Sequence, residues 1–168
     1  MALPFPHIDP VAFSIGPIQV RWYGLSYVFG AWLATVNARR LIANERLWPN
    51  KSPPGRALVD SLMVSCLLGA ILGGRLGYVI VYNLPYYLRN PLAVFSVWDG
   101  GMSFHGGLVG VVVACILTSL SHGVRVVVTA DILGACSPIA LLFGRLANFI
   151  NGELYGRVTD VPWAMVFP

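Results

Sequence analysis

The sequence predicts an all-α integral membrane protein, a polytopic helical bundle with about four transmembrane spans and its N-terminus outside. Three observations predict it. Of its 168 residues, 57% are hydrophobic and only 11% are charged, with a mean hydropathy of +0.71. A soluble domain carries about a quarter charged residues, so there are too few charges here to cover a water-facing surface. Four segments each supply the roughly 20 mostly apolar residues that a helical span needs. The cations between those segments are distributed unevenly, and that bias sets an orientation.

The N-terminal stretch has no basic leader region and is broken by Pro4, Pro6, Pro10 and Pro17. It is not a signal peptide, so insertion is expected to rely on the first span, roughly Trp22 to Ile42. Arg39, Arg40, Arg46, Lys51 and Arg56 follow, opposed by Glu45. By the positive-inside rule this loop is cytoplasmic. The second span runs roughly from Leu58 to Tyr82. The loop after it carries one cation, Arg89, and is expected outside, where its Pro, Tyr and apolar residues suit a short interfacial arm. The third span, roughly Phe104 to Leu120, leads to an inner loop with Arg125. The fourth, roughly Thr129 to Phe149, returns the chain outside. Tyr82, Tyr86, Tyr87, Trp98 and Trp163 fall at outer boundaries, where aromatic rings favour the headgroup level. A chain of this length suits one domain, so residues 1–168 are read as a single transmembrane domain.

The net charge of +4 comes from ten Arg and one Lys against seven acids. These cations are not clustered with aromatics on one face, so nucleic acid is not an expected partner, whereas membrane lipid is. Cys66, Cys115 and Cys136 lie scattered inside apolar segments. They form neither a disulfide framework nor a metal site, and no metal or cofactor is expected.

Ionisable side chains inside a bilayer are costly and mark functional positions by default. Three stretches hold them. In "GAILGGRLGYVIVYN", Gly69, Gly73 and Gly77 form a small-residue stripe suited to close helix packing. Arg75 points away from that stripe and shares a face with Tyr78 and Tyr82. A buried Arg flanked by phenols suits a phosphate. The other reading is an Arg that snorkels to the outer interface or pairs with a carboxylate for structure. In "GRLANFINGELYGR", Arg145, Asn148, Gly152 and Gly156 share one face if the helix continues that far, with Glu153 at its edge. Either this stripe binds a ligand or its amides join helices, and Glu153 and Arg157 have the spacing of a helical ion pair. In "WDGGMSFHGGLVG", the glycines suggest a bent entry to span three lining a polar pocket. His105 there takes a proton near neutral pH or is a satisfied core residue. Together these residues suggest an anion site within reach of lipid. They do not choose between an enzyme acting on a phospholipid and a non-catalytic binder or transporter of anionic lipid.

The same stretches, with the N-terminal "FSIGPIQVRWYGL", resemble motifs of the bacterial prolipoprotein diacylglyceryl transferase family, in the family's order and over essentially the whole chain. The signature resembles "GRLANFINGELYGR" almost residue for residue. The resemblance implies a multi-pass enzyme of the bacterial cytoplasmic (inner) membrane. Its activity would be transfer of the diacylglyceryl group of phosphatidylglycerol to the lipobox cysteine of a prolipoprotein signal peptide. Carried over by motif, the important positions fall on Tyr23, His105, Arg145, Asn148, Glu153 and Gly156, with Arg75, Tyr78 and Tyr82 matching the second-span motif. His105 would take the thiol proton, Arg145 and Arg75 would hold the phosphate, Asn148 would bond the headgroup and Glu153 would orient Arg145 or a glycerol hydroxyl. Family members usually continue beyond the position of Pro168, so the resemblance equates residues 1–168 with the N-terminal part of a longer fold.

Overall fold

The computed structural model describes residues 3–49, 52–96 and 100–168. Lys51 and Trp98, both singled out in the sequence, lie outside the described residues. Among the described residues five α-helices dominate: α1 (Trp22–Ala43), α2 (Arg56–Val81), α3 (Leu84–Arg89), α4 (Phe104–Ser121) and α5 (Val126–Ile150). Short strands β1 (Leu3–Pro4), β2 (Val11–Ile15), β3 (Ile18–Arg21) and β4 (Met165–Val166) lie towards the two ends of the chain.

Among the described residues, α2, α4 and α5 are long and apolar enough to cross a membrane. At about 1.5 Å per residue, the 26 residues of α2 span about 39 Å, against a hydrocarbon core of about 30 Å. Their outward faces carry side chains such as Leu72, Leu117 and Leu141, each about 60% exposed. Apolar exposure on that scale requires lipid rather than water. The first expected span coincides with α1, 22 residues long. Arg39 and Arg40 near its end, with Asn37 and the Trp and Tyr residues before them, lower its mean hydropathy and leave it outside the set of three.

The contacts divide the chain into two compact units, 1–37 with 135–168, and 38–134. In the first, β2 and β3 form an antiparallel hairpin pairing Ile15 with Ile18 and Ser14 with Gln19. Gly16, at φ +59°, opens its two-residue turn, as Gly-first hairpin loops require. Within the same unit, Gly30 of α1 lets Ala140 and Phe143 of α5 approach closely. Phe29 meets Phe143 edge-on, with ring centroids 5.0 Å apart. β1 and β4 pair in parallel, and Phe5 gathers Phe149 and Phe167 at 5.3 and 5.0 Å. This ring cluster anchors the chain that follows α5.

In the second unit, α2 and α4 pack through glycine. Gly69, Gly73 and Gly77 lie directly against the backbone of Gly106 and Gly110. Without side chains the two backbones approach to contact distance, the geometry of small-residue stripes in membranes. Gly123 ends α4 at φ +63°. Its N–H donates to Leu120 and that of Val124 to Ser119, a Schellman cap. At the same end, Arg39 pairs with Asp60 at 2.6 Å and His122 lies 3.0 Å from Ser61 Oγ.

The sequence reading has no strands in it, and the hairpin and the two-residue β1–β4 pair are what it lacks. Strands of two to five residues carry little periodic signal, although Ile-Gly-Pro-Ile has the turn chemistry of a hairpin.

Candidate functional site

In the first unit the site forms around the C-terminal end of α5. The helix stops at Ile150. Gly152 adopts φ +66°, its N–H donates to Phe149 O, and that of Glu153 donates to Asn148 O at 3.0 Å. This is a second Schellman cap, and it overturns the expectation that Arg145, Asn148, Gly152 and Gly156 share one continuous helical face. Asn151-Gly152 supplies the left-handed residue that ends a helix, so the stripe is cut after Asn148. The expected helical pair of Glu153 with Arg157 is likewise absent, because no helix spans them. Among the described residues the ion pair is Arg39 with Asp60.

The cap instead folds Glu153 back onto the helix end. Its Oε1 accepts from Asn148 Nδ2 and Asn151 Nδ2, each at 3.1 Å. On α1, the Tyr23 hydroxyl lies 3.2 Å from that of Tyr27. The Tyr27 ring in turn packs by Gly144. Glu153, Asn148 and Asn151 therefore converge, and the Tyr23–Tyr27 pair reaches α5 at Gly144, one turn earlier. Arg145 lies one turn before Asn148 on the same face. It is exposed, with no hydrogen bond or ion pair to a described residue. Gly156 is exposed in irregular chain with open space around it.

In the second unit, Arg75 is only 5% exposed. Nε donates to Val94 O, Nη1 to Gly100 O and Gly101 O, and Nη2 to Ala93 O and Ser96 O, at distances from 2.5 to 3.2 Å. Tyr87 covers the guanidinium at 5.3 Å, within cation–π range. Of the two readings open in the sequence, the structural one describes this geometry, with backbone carbonyls in place of a carboxylate. Tyr87 is buried here. A cavity of about 100 Å³ lies beside it, lined by Arg75, Tyr78, Tyr86 and Tyr87 with the backbone of the facing loop. Tyr82 stacks on Tyr78 with ring centroids 5.8 Å apart and is exposed.

His105 occupies the first turn of α4. Ser103 caps this helix, its Oγ accepting from Gly106 N at 3.2 Å. The imidazole is exposed and its ring contact is Phe104, at 5.6 Å. It is therefore not a satisfied core histidine.

A family model described as LGT, prolipoprotein diacylglyceryl transferase, matches residues 10–168. The chain belongs to the prolipoprotein diacylglyceryl transferase family. Curated relatives agree. A phosphatidylglycerol–prolipoprotein diacylglyceryl transferase of Rhizobium leguminosarum bv. trifolii is 54% identical over 99% of this chain and 59% of that protein. Proteins of the same name from Agrobacterium fabrum and Methylocella silvestris are 50% and 51% identical, over 99% and 98% of this chain and 60% of each relative. The chain thus spans about three fifths of the length of the relatives it matches.

Within this family member, sequence reasoning missed Tyr27, Tyr87 and Ser103 as parts of the two clusters. Tyr27 sits four residues after Tyr23, one turn of a helix, and that spacing was available. Tyr87 carries no such mark, since its burial depends on where the loop folds.

Proposed function

We propose that the protein transfers the diacylglyceryl group of phosphatidylglycerol to the lipobox cysteine thiol of a prolipoprotein. The setting is a multi-pass arrangement in the bacterial cytoplasmic membrane, with four spans and the N-terminus outside. The thiol sulfur attacks the glyceryl carbon bearing the phosphate. A C–S thioether forms, the C–O bond breaks, and glycerol phosphate leaves with the electron pair. A thiol of pKa about 8.5 is mostly protonated at neutral pH, so a base is needed. His105, exposed and with no hydrogen bond from its ring nitrogens to a described residue, takes that proton and returns it to the departing phosphate.

The observation that carries the reading is Arg145. An exposed guanidinium without a partner among the described residues, beside amides held by a carboxylate, suits a phosphate monoanion, with charge-assisted bonds that strengthen as the leaving group gains charge. Asn148 bonds the headgroup. Glu153 fixes the Asn148 amide. Tyr23 supplies a phenol to the same cluster, Tyr78 and Tyr82 line the lipid path, and Gly156 leaves room for the headgroup. The reading is tested by turnover of two variants. Arg145→Ala is expected to abolish transfer, and His105→Gln to lower it at least about 100-fold, the usual size of a lost general base. Near-normal turnover of His105→Gln would make His105 a residue that only shapes the pocket, and near-normal turnover of Arg145→Ala would remove the basis of the reading.

A further inference from the structure

The glycines before His105 do not leave that segment loose. The chain is stitched to α2 at successive residues. Gly100 and Gly101 both adopt left-handed φ, +83° and +80°, and both carbonyls accept from Arg75 Nη1. A Cβ on Gly101 would lie 2.6 Å from the Tyr78 ring and 3.0 Å from Arg75 Nη1, so the backbone lies flat on α2. Two residues on, Ser103 N–H donates to Gly74 O at 2.9 Å. Ser103 then caps α4 through Oγ to Gly106 N and through its carbonyl to Gly107 N. His105 rides on that capped turn.

A guanidinium has five N–H donors in a rigid fork. The five carbonyls of Ala93, Val94, Ser96, Gly100 and Gly101 match that number, and Tyr87 closes one face. No donor is left for a phosphate. We propose that Arg75 is a positioning residue, which gathers the segment entering α4 and so sets the first turn of α4 that carries His105. Its consequence for turnover rests on the role given to His105 above, whereas its hold on the segment does not.

The test is hydrogen exchange on the intact protein in lipid nanodiscs, together with lipid-transfer kinetics. A lysine has three donors and no fork, so Arg75→Lys cannot serve five carbonyls. Peptides covering 100–107 should exchange at least about tenfold faster, while those in 58–70 of α2 keep their protection. Turnover should fall about tenfold or more in kcat, with KM for phosphatidylglycerol within about twofold. Unchanged exchange at 100–107 overturns the proposal, and so does a loss confined to KM, which would make Arg75 a headgroup ligand. If Arg75→Lys does not reach the membrane, Gly101→Ala decides. It adds no charge and removes none, yet it should give the same faster exchange and the same kcat loss, and wild-type behaviour overturns the proposal. If the parent protein transfers no lipid, the proposed function fails while the exchange comparison still tests what Arg75 holds.

Discussion

Substituting Gly110 by Ala places one methyl group where α2 and α4 touch. A Cβ there meets Gly69 O and the Gly69 carbonyl carbon. These are backbone atoms that cannot rotate aside, so the helices must separate. Overpacking of this kind costs about 1–3 kcal/mol, or about 5- to 150-fold in the folding equilibrium at about 1.4 kcal/mol per tenfold. Alanine also favours a helix over glycine by about 1 kcal/mol. Gly24→Ala, in a helix with nothing within 4 Å of the added atom, carries the same gain and serves as the reference. Equilibrium unfolding in mixed detergent micelles should therefore place Gly110→Ala below Gly24→Ala by about the full overpacking cost. Equal stability of the two variants would refute the close α2–α4 packing, and with it the platform on which the segment before His105 lies.

Other consequences follow from the same geometry. Ser103→Ala removes the Oγ that accepts from Gly106 N, and should destabilise the second unit by about 1 kcal/mol, read by the same unfolding measurement. Glu153→Ala releases both amides. Its loss of turnover should resemble that of Asn148→Ala, with the double variant clearly short of additive, whereas full additivity would separate the two residues. Single cysteines at positions 44–49 should label from the cytoplasmic side and those at 83–90 from the outside, and labelling in the opposite sense would reverse the proposed topology.

Much of the helical framework is legible in the sequence because lipid imposes one rule on long segments. The four apolar windows begin and end within about three residues of α1, α2, α4 and α5, since charges, Gly and Pro flank them. The Gly69–Gly73–Gly77 stripe is legible for the same reason, as a four-residue repeat with one physical use. The partners of Arg75 are not legible. Its acceptors are backbone carbonyls 18 to 26 residues away, and every residue has such a carbonyl, so none leaves a trace in residue type. The end of α5 lies between these cases. Asn151-Gly152 is a recognisable stop, but the regular spacing of Arg145, Asn148, Gly152 and Gly156 points to continuation, and the left-handed Gly152 prevails. The chemistry of the site, with carboxylate-held amides beside an exposed Arg145, emerges only once that turn brings Glu153 back to Asn148.

The most direct measurement is the mass of a lipobox peptide after incubation with membranes carrying the protein and phosphatidylglycerol. The proposed reaction predicts a gain on the cysteine equal to one diacylglyceryl group, resistant to thioester cleavage, with glycerol phosphate released in equal amount. Phosphatidylglycerol bound by the protein with no gain on the peptide would contradict it.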